Sequence, residues 1–382
     1  MKVLGVNFLG QTPNDGEVRM SELSKETIEN TLKIINDKYQ GNDIVSSGAV
    51  KSIEIDAGKA SVTVELGYAA GEYANALKSE IEGLLSSTAD VISSEVTVNQ
   101  NIVAHAVQKS LKRIEGIKNI IAIASGKGGV GKSTTAANLA LALSADGAKV
   151  GVLDADIYGP SQPRMLGMSG TPESKDGSTL EPMENFGIKA MSIGFLVEED
   201  TPMIWRGPMV TQALEQMLRD TNWGDLDYLI VDLPPGTGDA QLTLSQKIPV
   251  SGAVIVTTPQ DIALLDARKG LAMFEKVAVP VLGIVENMSI HICTECGHAE
   301  HIFGEGGGER MSKDFDVDFL GSLPLDINIR QQADDGKPSV ISDPDGKISE
   351  MYHDISRTMA AKLAEKSKDY SNKFPNIVIH KS

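Results

Sequence analysis

Apolar residues follow two different rhythms along this chain, and the change comes near residue 118. Before it, Ile28, Leu32 and Ile35 recur at helical spacing within 21–40, and EYANALKSEIEGLL (72–85) repeats the same period. Between them KSIEID (51–56) and SVTVELG (61–67) alternate apolar and polar positions as half-buried strands do, with Ala57-Gly58 as a hairpin turn. VISSEVTV (91–98) adds a strand, so 21–105 reads as a small α+β unit in the order α-β-β-α-β. The stretch 101–117 reads as helical and bridges to the longer second part of the chain, with 106–117 as the linker proper.

From Lys118 the alternation disappears. NIIAIAS, KVGVLD, YLIVDLP, GAVIVTTP and VPVLGIVEN are short unbroken apolar runs separated by longer helical stretches. Strands of that kind are buried on both faces, and their alternation with helices predicts a mostly parallel sheet covered on two sides. The expected fold is therefore a doubly wound α/β unit over 118–365, preceded by the small α+β unit. Residues 1–20 form an N-terminal extension, and 366–382 a mixed, peripheral tail.

Composition narrows the partners. At 382 residues and 41% hydrophobic the chain is long enough for more than one core. Its net charge of -17 repels phosphate backbones and anionic lipid alike, so neither nucleic acid nor membrane is expected as a partner. The opening MKVLGVNFLGQTPNDGEV has too short an apolar stretch, interrupted by Asn7 and Gln11, to act as a secretory signal. No run approaches the ~18 apolar residues of a membrane span. A cytoplasmic setting with reduced thiols is expected.

The clearest chemistry sits after NIIAIAS. Gly126, four further residues (Lys127, Gly128, Gly129, Val130), then Gly131, Lys132 and Ser133 give the Walker A spacing between a strand and a helix that Thr134 continues. Glycines let backbone amides turn towards phosphate oxygens, the helix N-terminus adds partial positive charge, Lys132 suits the β and γ oxygens, and the Ser133 hydroxyl suits Mg²⁺. Lys127 is an extra cation inside the loop, placed to neutralise charge that develops in phosphoryl transfer. Asp232 ends the strand YLIVDLP, where a carboxylate can hold a water of Mg²⁺, and PPGTGD comes next as a phosphate-sensing loop. In VLDADIYGPS (152–161), Asp154 and Asp156 stand at alternate positions, Asp154 to support Mg²⁺ or the loop and Asp156 to orient an attacking water. TTPQD (257–261) and VENMS (285–289) come after strands, where such a sheet meets a nucleotide base.

HICTECGH (291–298) holds Cys293 and Cys296, the two cysteines of the chain. Two thiolates are half of a tetrahedral zinc or four-iron set. Three readings stand: His298 and His301 complete a mononuclear site, a second copy brings its own pair to a shared site, or the pair is a thiol-disulfide switch. The adjoining HIFGEGGGER reads as a flexible connector.

GKGGVGKS resembles the deviant Walker A loop of the MinD/ParA/nitrogenase iron protein class. The ordered set GKGGVGKSTTAANLA, DADIYGPSQP, IWRGPM, WGDLDYLIVDLPPGTGD, ENMS, CTECGH, HIFGEGGGER and GSLPLD closely resembles the Mrp/ApbC family of iron-sulfur cluster carrier ATPases over roughly 115–345. Residues 21–105 are similar to the MIP18-like domain that many bacterial members place ahead of the ATPase. The resemblance implies ATP with Mg²⁺ at the loop, Asn287 reading adenine, and slow hydrolysis in a homodimer whose Lys127 reaches across to the other copy. It also implies a [4Fe-4S] cluster bridged by Cys293 and Cys296 of two chains, and apo iron-sulfur proteins and scaffold proteins as partners. Two related activities differ: positioning ATPases need a basic surface or amphipathic membrane helix, which this acidic chain lacks, and electron-donating ATPases keep their cluster.

Overall fold

The computed structural model describes residues 23–197, 207–293, 295–366 and 368. The first unit comprises α1 (Lys25–Leu32), β1 (Val50–Asp56), β2 (Lys59–Leu66), α2 (Glu72–Ser86) and β3 (Ser93–Gln100). β1 pairs antiparallel with β2 across Ala57 and Gly58, both at positive φ as a tight two-residue hairpin turn requires. β2 pairs parallel with β3. Ser24 caps α1 by accepting the amide of Thr27. The helix expected across 21–40 stops at Leu32, because the Asp37 carboxylate takes the amides of Tyr39 and Gln40 into a local turn. Ile35 still reaches the core, from that turn.

The second unit continues with β4 (Ile117–Ala124), α3 (Lys132–Ala145), β5 (Val150–Asp154), α4 (Gln162–Met165), β6 (Met183–Asn185), β7 (Ile188–Ser192), α5 (Gly207–Arg219), β8 (Leu226–Asp232) and α6 (Asp239–Lys247). Then come β9 (Gly252–Thr257), α7 (Asp261–Lys276), β10 (Val281–Glu286), the short pair β11 (His291–Ile292) and β12 (Ala299–Glu300), α8 (Gly307–Phe315), β13 (Phe319–Ser322), α9 (Ile327–Asp334), α10 (Ser339–Ser342) and α11 (Lys347–Ala364). Eight strands form one sheet in the order β13-β10-β9-β4-β8-β5-β7-β6, with β6 antiparallel and its neighbours parallel. Every run predicted as a doubly buried strand is one. β4 lies at the centre, and the chain departs from it to both sides, which opens a crevice at the carboxyl ends of β4, β5 and β8.

Helix α3 is apolar nearly all round and buried from Thr135 to Leu143, held between the sheet and α11. One buried cluster covers this face and runs on without a break into the small unit. The other face packs under α5 and α7 around Leu214, Trp223, Leu229 and Phe274. Polar contacts join the two units: the Tyr39 hydroxyl donates to Asp354 at 2.7 Å, and Lys38 pairs with the same carboxylate at 2.8 Å.

The segment 101–116 is not helical. Its residues are drawn to separate anchor points: the His105 amide donates to Asn119, and the Gln108 side chain donates to the Ser245 carbonyl while accepting the Val250 amide. Those tertiary bonds outweigh a helical rhythm that carries little propensity of its own. The extension 1–20, nearly all of the tail, and Ile204, Trp205 and Arg206 of the IWRGPM stretch lie outside the described residues.

Candidate functional site

The loop between β4 and α3 is built for close approach. A Cβ on Gly126 would collide with the Asp266 backbone of α7, so only glycine fits there. Gly131 adopts φ +80°, in the left-handed region, and delivers the chain into the first turn of α3. Gly128 and Gly129 are exposed at the tip, Val130 is buried beneath them, and the Ser125 hydroxyl donates to the Lys127 carbonyl at 2.9 Å. The first amides of α3 therefore face the crevice without a side-chain cap.

Around the start of α3 the strand ends gather three carboxylates. Lys132 is 6% exposed and pairs with Asp232, itself fully buried at the end of β8. Lys132 also reaches the Ser133 hydroxyl at 3.2 Å, while Thr134 is half-buried one position on. Asp154, at the end of β5, accepts four donors: the amides of Asp156, Ser161 and Gln162 and the Ser192 hydroxyl, at 3.0–3.1 Å. That saturation makes Asp154 a brace for the 156–162 loop. Burial pushes its carboxyl up to about 7, and the charge of Asp232 adds to the rise. Asp156 lies on the rim, half-buried; burial raises it too, opposed by the charge of Lys132.

Two residues that carry no signal of their own in the sequence belong to this cluster. Gln162 is fully buried, and its Nε2 donates to Asp232 at 2.9 Å and to the Ser133 carbonyl at 3.0 Å. Gln260, in TTPQD, accepts the Lys127 ammonium at 3.3 Å. Both are neutral, so no charge pattern marks them; their position inside DADIYGPSQP and TTPQD is the signal available.

Asn287 comes just after β10 and touches the loop rather than open space. Its Nδ2 donates to the Val130 carbonyl at 2.9 Å, and its Oδ1 accepts the Met288 amide. Six residues further on, the cysteine pair sits on the β11–β12 hairpin. The Cys293 amide donates to the His298 carbonyl at 2.9 Å and the Gly297 amide to the Cys293 carbonyl at 2.8 Å, which folds the pair into a tight knuckle. Both thiols are free, Cys293 partly covered and Cys296 exposed. The amides of Cys296 and Glu295 hold the Cys293 thiol below its usual value.

The histidines do not complete this site within one copy. His301 turns its Nδ1 to the Ser289 carbonyl at 2.8 Å, and among the described residues no cluster of three or more His, Cys, Asp or Glu could hold a metal. The connector reading of HIFGEGGGER is corrected: α8 begins inside it at Gly307, because the Gly308 amide is fixed by Glu286 and Met311 is buried. Among the described residues no helix is long and apolar enough to cross a membrane.

Comparison with known proteins bears on the fold and the family. Residues 116–360 match the ParA model, described as NUBPL iron-transfer P-loop NTPase, and residues 25–98 match a model for iron-sulfur cluster assembly proteins. The chain is 57% identical to an iron-sulfur cluster carrier protein of Pseudomonas fragi over 72% of its own length and 96% of that protein's. It is 44% identical to a carrier of the same description from Synechocystis, over 90% and 98% of the two chains. A nucleotide-binding protein from Archaeoglobus fulgidus, solved with ADP, shares 38% identity and a TM-score of 0.54, covering 63% of this chain and 94% of that one. The family match over residues 116–360, together with 57% identity to a carrier protein that the chain covers almost completely, places this protein in the ParA family of NUBPL-type iron-transfer P-loop NTPases.

Proposed function

We propose that this chain is a cytoplasmic, ATP-dependent carrier that takes a [4Fe-4S] cluster from scaffold proteins, holds it as cargo between two copies, and passes it to apo iron-sulfur proteins. The amides of Gly126 to Thr134 and the Lys132 ammonium receive the phosphates, Ser133 and Asp232 hold Mg²⁺, and Asp156 orients the attacking water while Asp154 braces its loop. Lys127 leaves Gln260 for the nucleotide of the other copy, and Asn287 lies beside the adenine. The donor set suits this ligand: a buried lysine-aspartate pair and a hydroxyl converge at a helix start whose amides are uncapped. Mg²⁺ supplies charge neutralisation there when bound.

One observation carries the coupling. Asn287 bonds the loop carbonyl of Val130, and the same strand connection runs six residues to Cys293. A shift of the loop on nucleotide exchange therefore pulls on the stem of the hairpin that holds the cargo. Each copy offers two thiols, and a four-iron cargo needs the pairs of two copies.

Anaerobic reconstitution followed by iron, sulfide and mass analysis tests this reading. One cluster per pair of chains is expected, with Cys293→Ser losing it. Full iron loading of a strictly monomeric preparation would overturn the shared site. Lys132→Ala should abolish activation of an apo-enzyme; delivery at the parent rate would remove the link to nucleotide.

A further inference from the structure

The side chain of Gln162 occupies the most constrained polar position near the phosphate loop. It is 0% exposed, and two of its groups are engaged with three different elements of the site. Its backbone amide donates to Asp154 at the end of β5. Its Nε2 donates both to Asp232 at the end of β8 and to the Ser133 carbonyl in the first turn of α3. Its Oε1 is buried, and no described residue donates to it.

Burying a primary amide costs free energy unless its donors and acceptors are used. A brace between α4 and α3 alone would be served as well by leucine or isoleucine, without an unused acceptor. A glutamate would set a third carboxylate against Asp154 and Asp232. What glutamine supplies is a neutral donor to Asp232 on the oxygen opposite the one that Lys132 holds. Once Lys132 turns to phosphate, that donor is the described contact that still fixes the carboxylate.

We propose that Gln162 is a positioning residue for Mg²⁺: it locks the Asp232 carboxylate and the Ser133 turn into one unit, so that both would meet the metal in a fixed arrangement. This rests on the proposed assignment of Ser133 and Asp232 to Mg²⁺. It makes metal binding depend on α4, so the loop that carries Asp156 is tied to the metal through a single side chain.

The test is binding of a fluorescent ADP analogue to the full chain, titrated with Mg²⁺, for the parent and for Gln162→Leu. The variant should need about tenfold more Mg²⁺ for half-saturation, the loss expected for one hydrogen bond to a charged group. Affinity for the analogue without Mg²⁺ should fall by clearly less than the Mg²⁺-linked affinity does. Gln162→Met, similar in length and uncharged but unable to donate, should shift the Mg²⁺ requirement in the same direction, and it carries the test if Gln162→Leu does not fold. An unchanged Mg²⁺ requirement, or equal losses with and without metal, would mark Gln162 as a structural brace and overturn the proposal. A parent chain showing no Mg²⁺-linked nucleotide binding at all would sink the site assignment itself, and this inference with it.

Discussion

Asp154 shows how far a single side chain can be read from its surroundings. Burial first, and the charge of Asp232 second, raise it to about 7 from a usual 3.8. A carboxyl raised in the fold binds its proton more tightly there than in the unfolded chain. The stability this contributes is complete below about pH 4 and is lost as pH climbs through about 7. Carboxyl-detected NMR of the ligand-free protein should show Asp154 inflecting near neutrality, and an inflection near 4 would contradict the dominance of burial there. Gly126→Ala makes a second case: its Cβ would meet the α7 backbone, so the loop or helix must shift, at a cost of about 1–3 kcal/mol in stability with loss of nucleotide binding. Denaturant titration and the fluorescent analogue read the two effects. The glycines and Lys132 are legible in the sequence because loop chemistry demands those residue types in that order. Gln162 is not, since a neutral amide acquires meaning only when folding brings Asp232 and Ser133 to it.

Among elements, legibility tracks the number of buried faces. β4, β5, β8, β9 and β10 are covered on both sides, and their unbroken apolar runs could belong to little else. The turn at 33–40 and the segment 101–116 carry a helical rhythm yet are not helical: the carboxylate of Asp37 fixes the first, and distant partners such as Asn119 and Ser245 fix the second. Helix α3 joins the site to the rest of the molecule: its first turn faces the crevice, and its C-cap Asp146 is held bidentately by Arg357 of α11 at 2.7 Å. That pair is nearly buried, at 12% and 3% exposure. Arg357→Ala leaves the buried Asp146 carboxylate without its guanidinium partner and should cost about 3 kcal/mol, as removal of one member of a buried ion pair does. Equilibrium unfolding measures the loss, and a change under about 0.5 kcal/mol would show the pair to be ornamental.

On the scale of the whole molecule, the buried cluster shared by both sheets implies one cooperative unit. Calorimetry of the full chain should give a single unfolding transition, and two separated transitions would mean that the shared cluster and the contacts of Lys38 and Tyr39 with Asp354 are too weak to couple the units. The ion pair at the loop acquires a further meaning against the net charge of -17. Lys132 already holds an anion of the chain's own, so capture of a nucleotide is an exchange of counterions, made inside a field that pushes the newcomer away. Added salt weakens that outer repulsion while barely touching the sheltered pair. Nucleotide should consequently arrive faster as ionic strength rises, the reverse of what a cationic phosphate trap would do.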